Sequence, residues 1–337
     1  MMKRFIQGGK AMAGASCAAA ALLLLLFPAT GAAEEPRVAF VPQIQGIPYY
    51  VAMEQGGERA AERFGVEYVQ QGPTSTNASD QLRVFDGFVN RGFDVVAISP
   101  VDVASLRPAI RRAVQRGTEV ITSDADAPDT ERSFFVAQAL DADLGATVMD
   151  QLAERMGGSG KVAIVSDAPT IQSLNNWIAA IEARAAEAYP EVEITSVQNT
   201  NGTTEQAYRY AMDAMTRHPD LKAIVGIAST TCPGVAQAVT EADKIGEVIT
   251  TGYCSPNTVR EYIKSGAMPF SVLWNPADLG YLTVWAARES AAGKSFAPGS
   301  VEVPGLDSDV QWMPDAQILL LGDPMIFTAD NVDEFDF

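Results

Sequence analysis

Residues 37–65 read RVAFVPQIQGIPYYVAMEQGGERAAERFG. The apolar run Val38–Val41 is too short for a helix and is typical of a buried strand. One glycine and two prolines then interrupt regular structure over Pro42–Pro48. From there apolar residues recur at helical spacing as far as Gly65, a residue type that favours a helix C-terminus. The stretch therefore predicts a strand, a loop and a helix.

Two adjacent aromatic residues, Tyr49 and Tyr50, follow this first strand. In an open α/β sheet, ligands bind beyond the carboxyl ends of the strands, and we expect the tyrosines in the loop at that edge. An aromatic face packs on the C–H face of a sugar ring, and the phenol can donate a hydrogen bond. We predict that at least one tyrosine forms a wall of a binding site; the alternative is a role in the core.

The same alternation continues along the chain and then restarts. Short apolar runs such as Asp94–Ile98 and Glu119–Thr122 are separated by amphipathic stretches, of which Ser105–Arg116 begins with a residue suited to an N-cap. A flexible break at 156–160 precedes a second series, which starts with the run Lys161–Val165. Strands that alternate with helices predict an α/β fold with two doubly wound halves, each a parallel sheet covered by helices on both faces.

Residues 1–33 are predicted to be a secretory signal peptide and not part of the fold. The segment starts with basic residues, continues with the apolar run Cys17–Phe27 and ends with small residues at 31–33. The apolar run is short for a bilayer span, which disfavours the alternative of an uncleaved anchor. The run also follows Cys17 instead of preceding it, which argues against a lipoprotein. We therefore expect a soluble, exported protein.

The chain is strongly acidic, with a formal charge of −18. Because residues 1–33 hold three cations and no acid, the remainder is three charges more negative. Such a charge opposes binding to nucleic acids and to anionic membrane surfaces, and it disfavours a large anionic ligand. Solubility alone would also explain the charge.

The motifs of catalysis, nucleotide binding and metal binding are incomplete. Gly158–Lys161 loosely resembles a phosphate loop, but it precedes a strand instead of following one. The acidic run Asp124–Asp129 lacks the Gly and Glu positions of a calcium loop. The sequence has a single histidine, His218, and neither a Cys-x-x-Cys nor a Gly-x-Ser-x-Gly motif. We therefore expect no enzyme, no cofactor and no metal site.

Asp124 follows the predicted strand Glu119–Thr122 and is expected at the same sheet edge as Tyr49 and Tyr50. A carboxylate can accept several hydrogen bonds at once, which suits neighbouring hydroxyls of a sugar or polyol. We predict that Asp124 contacts a ligand. The alternative is helix capping or solvation of the loop.

The second half offers polar residues after its own strands. Ser173, Asn175 and Asn176 follow the strand end at 166–170 and provide hydrogen-bond donors and acceptors, although a solvated helix start is the alternative. Trp274 and Asn275 end the last strand, where the chain crosses between the halves. Trp274 is predicted to be either a cleft wall or hinge packing.

Two cysteines, Cys232 and Cys254, remain after the predicted cleavage, and each follows a strand of the second half. Neighbouring parallel strands would bring these two ends close together, and an exported chain lies where disulfides form. We predict a Cys232–Cys254 disulfide; two free thiols in or near the cleft are the alternative.

An ordered set of short motifs resembles a known family. The motifs are Phe40-Val41-Pro42, Gly46-x-x-Tyr49-Tyr50, Gln71-Gly72-Pro73-Thr74, Phe88-Val89-Asn90-Arg91-Gly92, Asp124-Ala125-Asp126, Pro169-Thr170 with Asn175-x-Trp177, Leu273-Trp274, Ile326-Phe327 and Phe335-Asp336-Phe337. Together they resemble the periplasmic sugar-binding proteins of ABC importers in the ribose-binding group, most closely the autoinducer-2 and rhamnose-binding branch. The likeness covers nearly all of the chain after the predicted signal peptide.

The resemblance implies two lobes that are joined by a multi-segment hinge and close on a small ligand. On this basis we assign residues 37–138 and 276–304 to an N-terminal lobe, and residues 139–275 and 305–337 to a C-terminal lobe. The resemblance also implies a periplasmic monomer that captures a small neutral sugar, deoxysugar or polyol and delivers it to the permease of an ABC importer in the inner membrane. The alternative is a ligand sensor for a membrane receptor of autoinducer-2 type.

The resemblance also suggests which residues contact the ligand. Tyr49, Tyr50 and Asp124 match the family's paired aromatics and first-lobe carboxylate. Other predicted contacts stand where the relatives have different residues: lysine at Gln43, aspartate at Ser173, alanine at Ser229 and, in ribose-type sites, an acid at Cys254. These differences predict a ligand other than autoinducer-2 or ribose.

Overall fold

The computed structural model describes residues 35–200 and 202–337. The predicted signal peptide, residues 1–33, lies outside the described residues. Within those residues, no helix is both long enough and apolar enough to cross a bilayer.

Strands and helices alternate through most of the described chain. The strands are β1 Arg37–Val41, β2 Glu67–Gln70, β3 Val95–Ile98, β4 Glu119–Ser123, β5 Phe135–Ala137, β6 Gly160–Ser166, β7 Val192–Asn199, β8 Leu221–Gly226, β9 Ile249–Gly252, β10 Ser271–Leu273, β11 Gly299–Ser300, β12 Gln311–Met313, β13 Ile318–Leu320 and β14 Met325–Phe327. The helices are α1 Pro48–Phe64, α2 Ala78–Asn90, α3 Val103–Gln115, α4 Asp141–Met156, α5 Gln172–Ala188, α6 Thr204–Arg217, α7 Cys232–Glu241, α8 Pro256–Ser265 and α9 Pro276–Ala291.

The first sheet has the strand order β11-β12-β13-β5-β4-β3-β1-β2, and its strands from β13 to β2 are parallel. Along β1, Val38 and Phe40 belong to the core cluster that includes α1 and α9. Ala39 and Val41 belong to a second cluster with α2 and α3. Because successive side chains of a strand point to opposite faces, helices cover both faces of this sheet. The predicted doubly wound arrangement is confirmed here.

The second sheet has the parallel order β7-β6-β8-β9. A bridge between Tyr253 and Val272 attaches β10 beside β9, and β10 pairs with β14 in the antiparallel direction. Helix α4 packs against α5, and α6 packs against α7. The chain therefore contains a second α/β unit, as predicted.

Two helix starts differ from the prediction. Tyr49 and Tyr50 lie in the first turn of α1 and not in a loop, because Pro48 takes the first helical position, where its fixed φ and missing N–H suit a helix start. Helix α3 begins after Asp102, whose carboxylate accepts a hydrogen bond of 2.6 Å from the backbone N–H of Ser105. Asp102, and not Ser105, is therefore the N-cap.

Residues 311–320 differ from the predicted lobe assignment, which placed 305–337 in the C-terminal lobe. Strand β12 pairs with β13, and β13 pairs with β5 of the first sheet. The reason is that β5 would otherwise leave a buried edge without a partner, and the apolar strand β13, with Leu319 fully buried, covers it.

Three segments connect the two sheets, at 138–140, 274–275 and 321–324. The first leads from β5 to α4, the second from β10 to α9, and the third from β13 to β14. This arrangement agrees with the multi-segment hinge that the family resemblance implies.

Helices α1 and α9 pack backbone against backbone. A side chain at Gly56 would collide with the backbone of Ala277, and a side chain at Gly280 would collide with the backbone of Met53. Glycine at these two points allows the close approach. Helix α9 thereby supports α1, whose first turn carries the two tyrosines.

Candidate ligand-binding site

A cavity of about 290 Å³ lies between the carboxyl ends of the two sheets. Segments that follow β1, β2 and β4 line it from the first sheet. Segments that follow β6, β7, β8 and β9 line it from the second sheet, and Leu273 and Trp274 line it at a crossing segment. This is the edge at which α/β sheets bind ligands.

The Asp124 carboxylate accepts hydrogen bonds from three hydroxyl groups. Tyr49 Oη donates to Asp124 Oδ1 at 2.6 Å. Tyr50 Oη and Ser99 Oγ donate to Asp124 Oδ2 at 2.8 and 2.7 Å. Trp274 Nε1 in turn donates to Tyr49 Oη at 2.9 Å. Side chains from three separate parts of the chain therefore fix this carboxylate at the cavity wall.

The backbone of Asp124 is held in an unusual conformation. Its φ is 70°, in the left-handed region that non-glycine residues rarely adopt. The Asp124 N–H donates to the Val136 carbonyl at 3.2 Å, and the Ala125 N–H donates to the Ser123 carbonyl at 2.8 Å. Such a conformation costs on the order of 1–3 kcal/mol and persists where the surroundings over-determine it, often at functional sites.

Burial is the largest influence on the pKa of the Asp124 carboxyl. Burial raises the pKa of Asp124, and the hydrogen bonds from Tyr49, Ser99 and Tyr50 act in the opposite direction. Burial, followed by the neighbouring Asp124 carboxylate, raises the pKa of Tyr49 and Tyr50 well above their usual value of 10.0. The two phenols therefore remain protonated and act as donors to Asp124.

A belt of aromatic rings connects the two sides of the cavity. The rings of Tyr50, Tyr49, Trp274, Trp177 and Tyr253 follow one another at centroid distances of 5.0, 5.9, 5.6 and 5.0 Å, each pair edge to face. Edge-to-face pairs each add about 0.5–1.5 kcal/mol beyond burial. Trp274 is thus both a cavity wall and part of the packing between the halves, so the two predicted roles coexist.

A second carboxylate, Asp167, lines the cavity from the opposite side. It is 5% exposed and immediately follows β6. Thr230 Oγ1 donates to its Oδ2 at 2.8 Å, and the backbone N–H of Ala168 donates to its Oδ1 at 2.7 Å. Burial raises the pKa of Asp167, and these two hydrogen bonds partly offset that effect. The sequence analysis missed Asp167, although it follows β6 as Asp124 follows β4.

Apolar side chains also line the cavity. They come from the segments that follow β1, β6 and β8: Ile44, Ile47, Ile171, Leu174 and Ile227. The sequence analysis did not predict these contacts. Ile44 and Ile47 could have been predicted as contacts, because they lie in the same loop as the predicted contact Gln43.

Seven of the predicted ligand contacts line the cavity: Gln43, Tyr49, Tyr50, Asp124, Ser173, Ser229 and Trp274. The Gln43 amide donates to the Pro100 carbonyl at 3.1 Å, which fixes its orientation. Ser173 and Ser229 are partly buried at the wall of the second half. The structure therefore brings most of the predicted set together.

Four predicted contacts are elsewhere. Asn175 donates to the Pro169 carbonyl at 3.0 Å, and Asn176 donates to Asp141 Oδ2 at 3.2 Å, so both amides serve the structure around α5. Asn275 caps α9 by accepting from the Ala277 and Asp278 N–H groups. Cys254 is fully buried in a disulfide with Cys232.

The disulfide joins the end of β9 to the start of α7, with a Cα–Cα distance of 6.0 Å. The predicted pairing is confirmed, and the alternative of two free thiols near the cleft is wrong. Because its sulfur is bonded and buried, Cys254 does not act as a polar contact for a ligand.

Among the residues that the structure describes, the lining of the cavity contains two carboxylates and no Lys, Arg or His. Within the part of the chain that the structure describes, no three His, Cys, Asp or Glu side chains are grouped as a metal ion would require. The site thus offers hydrogen-bond acceptors, phenol donors and aromatic faces, a combination that suits an uncharged molecule with several hydroxyl groups.

Comparisons with known proteins agree with this geometry. The family model described as a periplasmic binding protein domain matches residues 38–295. The D-allose-binding periplasmic protein of Escherichia coli is 26% identical over 272 residues, which are 77% of this chain and 85% of that protein.

Two solved structures are similar over almost their full length. A solute-binding protein of an ABC transporter from Clostridium phytofermentas, with bound L-rhamnose, has a TM-score of 0.82 and 25% identity, and the match covers 89% of this chain and 98% of that one. LsrB from Clostridium saccharobutylicum, in complex with AI-2, has a TM-score of 0.81 and 25% identity, with 89% and 100% covered.

Proposed function

Since the chain belongs to the periplasmic binding protein domain family, we propose that it is the solute-binding protein of an ABC importer for a small neutral sugar, deoxysugar or polyol. It would capture the ligand in the cavity between the two sheets, in the periplasm, and deliver it to the permease of the importer. The sugar-binding relatives and the chemistry of the cavity support this proposal. Capture and delivery of a ligand require no catalytic residue.

The observation that carries the proposal is the Asp124 carboxylate with its three hydroxyl donors. A buried carboxylate that is held by Tyr49, Tyr50 and Ser99 faces a cavity with aromatic walls and no cation. Oδ1 receives one of these hydrogen bonds and Oδ2 receives two. Since a carboxylate has about four acceptor sites, Oδ1 can accept one more hydrogen bond, from a ligand hydroxyl. The faces of the tyrosines and tryptophans suit the C–H face of the same ligand.

Capture would involve contacts from both sheets. Asp124 and its tyrosines come from the first sheet, and the residues after β6 and β8 come from the second. A ligand that bonds to both sides stabilises a closed arrangement, and the three crossing segments would absorb the movement. The closed protein is the form that a permease would recognise.

Because no cationic side chain is among the described residues that line the cavity, the site disfavours anionic ligands. An anionic sugar would have to approach two buried carboxylates without a compensating charge, which is strongly unfavourable. Sugar acids and sugar phosphates should therefore fail to bind.

A thermal-shift screen tests the proposal. The panel should include D-ribose, D-allose, L-rhamnose, D-arabinose and xylitol, with D-gluconate and ribose 5-phosphate as anionic controls. A neutral ligand at 100 times its Kd should stabilise the protein by about 2.7 kcal/mol, which corresponds to a Tm increase of about 5–11 °C at the roughly 2–4 °C per kcal/mol of domains of about 150–250 residues. Stabilisation by none of the neutral compounds, whether or not the anionic controls stabilise the protein, would overturn the proposal.

A further inference from the structure

Asp167 is a buried carboxylate with few hydrogen bonds of its own. Its oxygens accept one hydrogen bond each, from Thr230 Oγ1 and from the backbone N–H of Ala168. Among the described residues, no Lys, Arg or His lines the cavity that Asp167 faces. An ionised carboxylate has about four acceptor sites, so one site on each oxygen remains for a ligand.

The surroundings of Asp167 keep those two sites accessible. Gly202 lies beside the carboxylate, and a Cβ at Gly202 would stand 3.5 Å from Oδ1 and 3.8 Å from Oδ2. A Cβ would therefore only touch the carboxylate, whereas a longer side chain at this point, which also lines the cavity, would crowd it. Thr230 holds the carboxylate from the neighbouring strand end, after β8, which is parallel to β6.

Asp124 provides the internal comparison. Its carboxylate already receives three hydrogen bonds from protein hydroxyls, so it needs one further donor. Asp167 receives two and has an open site on each of its two oxygens. A buried acceptor that is left without a donor costs about 1–3 kcal/mol, and more when it is charged. Asp167 therefore needs more hydrogen-bond donors from the ligand than Asp124 does.

We propose that Asp167 is a specificity-determining residue, which accepts hydrogen bonds from two adjacent hydroxyl groups of the ligand, one on each carboxylate oxygen. This inference rests on the proposed function, because it concerns the ligand that the same cavity captures. It narrows the ligand class to molecules that present two neighbouring hydroxyls to the second sheet while a third hydroxyl reaches Asp124 Oδ1. Ile171, Leu174 and Ile227 line the same cavity from the second half and fit a less polar part of the same molecule.

Calorimetric titration of the mature protein with D-ribose, D-allose, L-rhamnose and xylitol provides the first arm of the test. The variant Asp167→Asn keeps the shape of the side chain but turns one acceptor into a donor. Its Kd for the compounds that bind the wild type should rise by about 10- to 100-fold. The matched control is Asp102→Asn, because Asp102 caps α3 and is not among the residues that line the cavity, and asparagine caps a helix equally well.

The second arm uses ligands that lack one hydroxyl. For each compound that binds, monodeoxy derivatives are titrated into the wild type and into Asp167→Asn. At two adjacent positions, removal of the hydroxyl should weaken binding to the wild type by about 10-fold or more and weaken binding to Asp167→Asn by much less, since the shared interaction is already lost.

The outcomes separate the two claims. If no neutral compound binds the wild type, the proposed function fails and this inference fails with it. If compounds bind, but Asp167→Asn retains wild-type affinity or no adjacent pair of hydroxyls is coupled to Asp167, the inference alone is overturned. Because the asparagine variant removes a buried charge without changing the packing, a folded protein with reduced affinity is the expected product, and its unliganded Tm verifies folding.

Discussion

At the scale of single residues, the main feature of the cavity is the fixed position of the Asp124 carboxylate. Its left-handed backbone and its three hydroxyl donors both hold the carboxylate at one point of the wall. A carboxylate that is already oriented loses little freedom when a ligand binds, which favours affinity. The strain at this residue is thus consistent with a binding role.

Replacement of Asp124 by alanine should abolish the Tm increase that a saturating neutral ligand produces. It should also lower the unliganded stability by about 1–3 kcal/mol, because the hydroxyls of Tyr49 and Tyr50 lose their acceptor. Asp129→Ala is the matched control, since the Asp129 side chain is 82% exposed in the same loop region and forms only a 3.9 Å ion pair. An unchanged ligand-induced shift in Asp124→Ala would exclude Asp124 from the site.

We also expect Asp167 to make the stability of the unliganded protein depend on pH. Burial raises the folded-state pKa of this carboxyl above its usual value of 3.8, so folding favours the protonated form. The stability that this group contributes is fully present below pH 3.8 and is lost as the pH rises through the raised folded pKa. The wild type should therefore lose stability relative to Asp167→Asn over this range, as measured by Tm at successive pH values. A constant Tm difference between the two proteins would contradict the shift.

At the scale of elements, the contact between α1 and α9 positions the tyrosines. Helix α1 carries Tyr49 and Tyr50 in its first turn, and α9 begins directly after Trp274 and Asn275. The close approach at Gly56 and Gly280 therefore connects a crossing segment to the aromatic wall. A change at this contact should affect both stability and the site.

The variant Gly280→Ala should lower the free energy of unfolding by about 1–3 kcal/mol, because its Cβ would meet the Met53 backbone. The control is Gly87→Ala in α2, where no atom lies within 4 Å of the added Cβ. There alanine should stabilise the helix by up to about 1 kcal/mol. Urea unfolding of both variants measures the difference, and equal effects would show that the α1–α9 contact is not tight.

At the scale of the whole molecule, two sheets and three crossing segments make a clamp. The aromatic belt from Tyr50 to Tyr253 runs across it, and each sheet contributes one carboxylate, Asp124 or Asp167. A ligand that bonds to both carboxylates joins the two sides. Under the proposed function, closure would therefore be coupled to binding through contacts that form on both sides at once.

Small-angle X-ray scattering should report a smaller radius of gyration when the tightest neutral ligand of the screen is added in excess. The physical reason is that simultaneous contacts to both sheets favour the closed form. Asp124→Ala with the same ligand serves as the control and should show no decrease. A radius that stays constant while calorimetry shows saturation would argue for a preformed site without hinge movement.

The order of strands and helices, the two α/β halves and the disulfide pairing were all accessible from the sequence. They follow from local apolar periodicity, from turn residues and from the placement of Cys232 and Cys254 after neighbouring strands. Tyr49, Tyr50 and Asp124 were accessible as well, because the carboxyl edge of a parallel sheet is where ligands bind. The fold class and the first side of the candidate site could therefore be predicted from the sequence.

The second side of the site depended on tertiary structure. Ile171, Leu174 and Trp177 recur every third residue and face the cavity together, whereas Asn175 and Asn176 turn away toward other partners. The strand β13 joined the first sheet because a distant edge was open to it, a contact that no local pattern encodes. Only the folded chain decides which side chains meet, because the rotation of a helix and the pairing of remote strands are fixed by packing and not by residue type.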